Sequence, residues 1–124
     1  MRYFFDTYAI IEIIRETKSY EKYGDEEIIT SILNIGELYY ILLREHGKET
    51  ANYWYEKLKS IAIQVDIEAV IKAMNFRSAK KEKHLSFIDC VGYILAKEMG
   101  LEFLTGDGGF KGIENVQFEE SNRW

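Results

Sequence analysis

Proline is missing from this 124-residue chain, cysteine occurs once and histidine twice. Without proline there is no Pro-rich linker. With 47% hydrophobic residues and 15% aromatics, nothing in the composition resembles a disordered or low-complexity segment. The lone thiol, Cys90, excludes an intrachain disulfide, a zinc knuckle and a redox pair. It lies in the apolar run Phe87-Ile88-Asp89-Cys90-Val91 and reads as a buried, inert side chain. A reducing, cytoplasmic location fits. No run of about twenty apolar residues exists, so no membrane span is expected. The N-terminal MRYFFDTYAII is too short and too soon acidic for a signal peptide. An excess of positive charge is also missing. The net charge of −5 argues against a protein that grips duplex nucleic acid by phosphate contacts alone. It leaves room for an acidic site where bound cations supply positive charge locally.

What is present reads as one domain, residues 1–124, in which strands alternate with helices. Arg2–Phe5 is a short apolar strand, and Asp6-Thr7 starts a helix over Tyr8–Arg15. A charged loop over Lys18–Glu27 leads to a second strand, Glu27–Ser31. Asn34 opens a helix with Ile35, Leu38, Tyr39 and Leu42 at helical spacing; Gly47 interrupts it before an antiparallel helix over Lys48–Ser60. Ile61–Val65 is a third strand, and Asp66 caps a helix over Ile67–Lys83. Ser86 caps the helix Phe87–Met99, and Gly100 stops it. Leu101–Thr105 is a fourth strand, Gly106–Gly112 a glycine-rich loop and Asn115–Phe118 a short fifth strand. Glu119–Trp124 is unassigned. The alternation predicts an α/β fold: a three-layer α/β/α sandwich around a parallel sheet of about five strands, in the order 3-2-1-4-5.

Four acids stand out on this topology. Asp6 follows strand one, Glu37 lies in the first turn of the helix after strand two, Asp89 in the first turn of the helix before strand four, and Asp107 just past strand four. Each has an ordinary explanation. Asp6 can cap a helix, Asn34–Glu37 and Ser86–Asp89 have capping-box spacing, and Asp107-Gly108-Gly109 can be a turn. Together they occupy the carboxyl edge of a parallel sheet, at the crevice where strand order reverses. Asp66 meets the same edge rule two strands away, about 10 Å off, and reads as a cap only. Helix N-termini offset about 0.3–1 kcal/mol of repulsion each, too little to hold four ionised carboxylates together. Either some are protonated or a divalent cation is bound. Oxygen ligands without nearby His or Cys favour Mg²⁺ or Mn²⁺ over zinc. Such an ion equips a site for phosphodiester hydrolysis, with one carboxylate orienting the attacking water.

The segments Phe4-Phe5-Asp6-Thr7, Thr30-Ser31 with Glu37-Leu38, Ser86-Phe87-Ile88-Asp89 and Thr105-Gly106-Asp107-Gly108-Gly109-Phe110 resemble the successive motifs of PIN domains, in order and across the whole chain. The small single-domain form resembles a VapC-type toxin. The resemblance implies a Mg²⁺- or Mn²⁺-dependent ribonuclease acting on single-stranded RNA, inhibited by a cognate antitoxin and commonly a homodimer. It implies that Asp6 and Asp89 hold the metal, that Glu37 and Asp107 are the remaining catalytic acids, and that the Thr105 hydroxyl supports the site. Tyr8 departs from the small polar residue common after Asp-Thr, and Cys90 from a common alanine.

Lys80, Lys81, Lys83 and His84 are candidates to contact an RNA backbone, with Arg44, Arg77 and Lys111 weaker; a solvated helix end is the plain alternative. Tyr39–Leu43 is apolar all around its helix, and Tyr53-Trp54-Tyr55 adds aromatic surface, which fits either a partner interface or a thick local core. Three alternatives stay open: a receiver-like phosphoacceptor domain using Asp66, a hydrolase of small phosphoesters, and an inactive PIN-like scaffold that only binds a partner.

Overall fold

The computed structural model describes residues 2 to 120. Three strands, β1 (Tyr3–Phe5), β2 (Glu102–Thr105) and β3 (Val116–Phe118), form a parallel sheet in the order β1-β2-β3. Phe4 pairs with Phe103, and Phe103 with Val116. Five α-helices accompany them: α1 (Thr7–Ile14), α2 (Ile32–His46), α3 (Lys48–Leu58), α4 (Ile67–Ala79) and α5 (Phe87–Glu98).

The second and third strands expected from sequence shrink to single parallel bridges, Phe4 with Ile29 and Ser31 with Ile63. Their backbone bonds are real: Phe5 N–H donates to Ile29 O at 2.8 Å, Ile63 N–H to Thr30 O at 2.9 Å and Ile32 N–H to Ile63 O at 3.0 Å. Counting the bridges, the lateral order is still 3-2-1-4-5. The ladder stops because a helix begins at once on one side. Ser31, extended at φ −102° and ψ 168°, accepts from the Leu33 and Asn34 amides and caps α2. On the other side, a one-turn 3₁₀ helix at Lys59–Ile61 and the Asp66 cap leave Ile63 little extended chain to pair.

Other boundaries shift by a few residues. Part of the expected charged loop is a 3₁₀ helix, Lys18–Tyr23. The helix expected to reach Lys83 ends at Ala79, after which Lys81–Lys83 makes one tight turn. A further 3₁₀ turn, Gly108–Phe110, lies inside the glycine-rich loop. Gly100, at φ +72°, terminates α5 as expected, with Leu101 N–H returning to Ala96 O at 2.8 Å. Residues Ser121–Trp124 of the unassigned tail lie outside the described residues.

The strands alternate faces and so divide the core in two. Phe5 and Leu104 pack under α1, α2 and α3 with Ile10, Leu38 and Leu42. Phe4 and Phe103 pack under α4 and α5 with Ala73, Val91 and Tyr93. This is the three-layer sandwich the alternation predicts. α5 crosses so close to the sheet that a Cβ on Gly92 comes within 3.0 Å of both the Phe4 and Phe103 rings. Among the described residues, no helix is long and apolar enough to cross a membrane.

Candidate active site

Asp6 is fully buried at the carboxyl end of β1. One carboxyl oxygen, Oδ1, accepts the Ala9 amide at 2.7 Å and caps α1; the other, Oδ2, accepts from the Thr105 hydroxyl at the end of β2. The capping explanation is therefore true and leaves one oxygen for the crevice. Thr105 Oγ1 also accepts the Asp107 amide at 3.1 Å, so one buried hydroxyl ties the ends of β1 and β2 together. Asp107 is half-buried and starts the short Gly108–Phe110 turn, with Oδ1 accepting the Gly109 amide at 2.9 Å.

Asp89 stands in the first turn of α5 with 8% of its surface exposed. Its amide donates to Ser86 Oγ at 3.1 Å, but its carboxyl does not return to the Ser86 amide. The capping box is half made. A side-chain hydrogen bond from Ser86 opposes the rise of the Asp89 carboxyl. Glu37 is half-buried in the second turn of α2, not the first, because Ser31 and not Asn34 is the cap.

The charges of Glu37 and Asp107 act on both Asp6 and Asp89, so the four acids lie close enough to repel one another. Burial pushes Asp6 up from 3.8 to about 7, helped by repulsion from Glu37 and Asp107 and opposed by the Thr105 and Ala9 hydrogen bonds. Burial likewise pushes Asp89 up to about 8, with added repulsion from Asp6, Glu37 and Asp107. Asp66 takes no part. It caps α4 through the Ala69 amide at 2.9 Å and is absent from the charges acting on Asp6 and Asp89. The receiver-like alternative thus lacks its acceptor in the crevice. Cys90 is buried and its thiol pushed up to about 11, as an inert core thiol requires.

Sequence reasoning missed a clamp beneath these acids. Asn34 was expected to open α2; instead it is buried one turn inside, where Nδ2 donates to Thr7 Oγ1 at 3.1 Å and Oδ1 accepts from Ser31 Oγ at 2.7 Å. It pins the start of α1, and with it Asp6, to the start of α2. Its partner Thr7 lies 27 residues away, so no local pattern announces the contact.

The donor set fits a hard cation. Asp89 and Asp6 both retain carboxyl lone pairs beyond the hydrogen bonds they accept, Asp89 from Ser86 and Asp6 from Ala9 and Thr105. Among the described residues, no three His, Cys, Asp or Glu side chains close into a finished cage.

The basic candidates separate. Lys81 lines a cleft with Arg77 and His84 between α4 and α5. Lys80 acts on Glu114, Lys111 lies 5.2 Å over the Phe118 ring, and neither they nor Lys83 line that cleft. The apolar stretch of α2 splits. Ile41 and Leu42 are core, whereas Tyr40 is 63% and, on α3, Tyr53 58% exposed. A separate cleft of about 540 Å³ between α2 and α3 is lined by Ile32, Ile35, Tyr39 and Tyr55, among others.

The sequence matches the family profile of the PIN domain over residues 3–116. No curated protein sequence matches it. Among solved structures, the chain is similar to a Mycobacterium tuberculosis VapC20 toxin described as cleaving the Sarcin-Ricin loop. The two are 18% identical with a TM-score of 0.74, covering 93% of this chain and 98% of that one. It is also similar to a chain of a Klebsiella pneumoniae toxin–antitoxin complex, at 17% identity and TM-score 0.72, covering 94% and 96%. A chain of Rickettsia felis VapBC2 bound to a promoter DNA fragment matches at 19% identity and TM-score 0.70, covering 98% and 100%.

Proposed function

This chain belongs to the PIN-domain family, and on that premise we propose that it is a metal-dependent endoribonuclease that cuts single-stranded RNA, the toxin of a VapBC-type pair. The observation carrying this reading is the pair Asp6 and Asp89: two buried carboxyls pushed to about 7 and about 8, with two further acids facing them. Capping explains the hydrogen bonds of Asp6 but not the cost of burying two neighbouring acids. Each must lose a proton or gain a cation to work, and perturbed acids in a crevice are what hydrolytic sites require.

Asp6 and Asp89 hold Mg²⁺ or Mn²⁺. When bound, such an ion lowers the pKa of water and offsets the charge that builds on the phosphate. Thr105 fixes the Asp6 carboxyl by donating to Oδ2, and it fixes the Asp107 backbone by accepting its amide. Glu37 and Asp107, less buried than the other two, orient the attacking water and accept its proton. A cognate antitoxin covers the exposed aromatic face of α2 and α3, where a homodimer contact is the competing use. The antitoxin reading draws on the complexes named above, whose chains share this fold.

Cleavage of single-stranded RNA in Mn²⁺ tests the proposal. Asp6→Asn and Asp89→Asn each lose activity while retaining the wild-type circular dichroism spectrum, and chelator silences the wild type. Full activity in either variant, or activity indifferent to chelator, contradicts it. A folded wild type that never cuts RNA but binds a partner leaves only the inactive scaffold.

A further inference from the structure

The cleft between the end of α4 and the turn into α5 holds about 440 Å³ and is lined by Met74, Arg77, Ser78, Lys81, His84 and Leu85. That volume is within the usual range for small-ligand sites. Its cations are uncommitted. Arg77 spends Nε on the Leu85 carbonyl at 2.9 Å, and its two terminal amino groups have no partner among the described residues. Neither Arg77 nor Lys81 forms an ion pair there, although Glu82 is adjacent in sequence.

This cleft shares a wall with the acidic crevice. The Lys83 carbonyl and the Leu85 side chain press on Gly109, where a Cβ would sit 3.1 and 2.8 Å from them; the Gly109 amide is the one held by Asp107. Ser86 follows directly and caps the helix carrying Asp89. An RNA strand approaching four acids on a chain of charge −5 meets repulsion at every phosphate except one neutralised at the metal. Unpaired cations beside the crevice remove that repulsion for a neighbouring phosphate, and a guanidinium fork is suited to a phosphate's paired oxygens. Met74 and Leu85 add apolar surface for the attached sugar or base.

We propose that this cleft is a phosphate subsite, in which Arg77, Lys81 and His84 hold the RNA backbone one or two nucleotides from the scissile bond. The proposal rests on the ribonuclease reading. It selects Arg77, Lys81 and His84 and rejects Lys80, Lys83 and Lys111 as subsite residues.

Lys81 is the safest residue to test because its side chain is exposed and holds nothing in place. Binding of a labelled single-stranded oligoribonucleotide is measured by fluorescence anisotropy in EDTA, across a salt series, for wild type, Lys81→Ala, Lys81→Arg and Lys59→Ala. Lys59 pairs with Glu56 next to α3, outside this cleft. Lys81→Ala weakens binding about tenfold and reduces the salt slope by about 0.7. Lys81→Arg restores both, and Lys59→Ala stays within about twofold of wild type. In Mn²⁺, Lys81→Ala raises KM and leaves kcat nearly unchanged. Equal weakening by Lys81→Ala and Lys59→Ala, or an unchanged salt slope, overturns the subsite. Cleavage with a normal KM in Lys81→Ala removes the subsite and leaves the ribonuclease standing. Lys81-dependent binding without any cleavage removes the ribonuclease and leaves an RNA-binding cleft.

Discussion

Removing one acid from the crevice should make the metal-free protein more stable at alkaline pH, and by an amount that can be worked out. Asp6 and Asp89 titrate near 7 and 8 in the fold, against an ordinary 3.8. A carboxyl raised on folding contributes stability fully present below its unfolded pKa and lost as pH rises through its folded value. Between pH 5.5 and 8.5, at about 1.36 kcal/mol per pKa unit, Asp89 accounts for a loss of about 3 kcal/mol and Asp6 for about 2. A loss near 5 kcal/mol is a large share of the 5–15 kcal/mol typical of a domain. Asp89→Asn deletes the larger part. Urea unfolding in EDTA, followed by circular dichroism at several pH values, is the assay. The upper limit of 8.5 keeps Cys90 out of it, because that thiol is raised to about 11 and adds its own loss above pH 9. Wild type loses about 5 kcal/mol across the window and Asp89→Asn about 2 or less, so the variant is the more stable by about 3 kcal/mol at pH 8.5. Adding Mn²⁺ at a hundred times its Kd restores about 2.7 kcal/mol to wild type and little to the variant. A wild type whose stability is flat from pH 5.5 to 8.5, or a variant that falls as steeply, refutes the reasoning.

Two further outcomes follow from the packing around the crevice. Thr105→Val keeps the shape of a fully buried side chain but deletes the donor to Asp6 and the acceptor for the Asp107 amide. The hydroxyl holds Asp6 down, so its loss raises Asp6 further, and apparent Mn²⁺ affinity at pH 7 should fall roughly ten- to a hundredfold, the worth of a hydrogen bond to a charged group; titration calorimetry giving an unchanged affinity would count against the role of Thr105. Gly92→Ala adds a methyl against two fully buried aromatic rings that have no room to retreat, and the overpacking of about 1–3 kcal/mol outweighs the better helix propensity of alanine, near 1 kcal/mol; calorimetry should show Tm lowered by several degrees, and a raised Tm would mean the rings do yield.

Much of this was legible in the sequence because the fold obeys local rules. The alternation of apolar strands with capped helices predicts the three layers, and the right-handed crossover rule narrows the lateral order. What failed was whatever depends on a contact distant in the chain. Ser31 and Asn34 are both good caps by type, and only the buried Thr7 partner decides that Asn34 turns inward and Ser31 takes the cap. That choice moves Glu37 from the first turn to the second. The length of the strand around Ile29 was unreadable for the same reason, since the helix begins three residues earlier than a cap at Asn34 implies. Arg77 is a weak candidate on sequence because nothing near it in the chain shows that its Nε reaches Leu85 while the residue lines the cleft.

The ordinary and the functional explanations of the acids turn out not to compete. In a parallel sheet, the strand ends and the helix starts share one edge, so the residues best placed to cap helices are also those placed to meet each other. Asp6 caps α1 with one oxygen and turns the other toward Thr105. Asp107 starts a turn with Oδ1 while its charge acts on Asp6 and Asp89. Asp66 is the instructive exception: it caps α4 just as well, two strands away, and is not among the main charges acting on the pair. Capping geometry therefore cannot separate a site acid from a structural one. The separating property is the cost of ionisation. A cap that is only a cap has no reason to be buried among like charges, whereas Asp89, nearly enclosed and repelled by Asp6, Glu37 and Asp107, is costly to keep ionised unless a cation joins it.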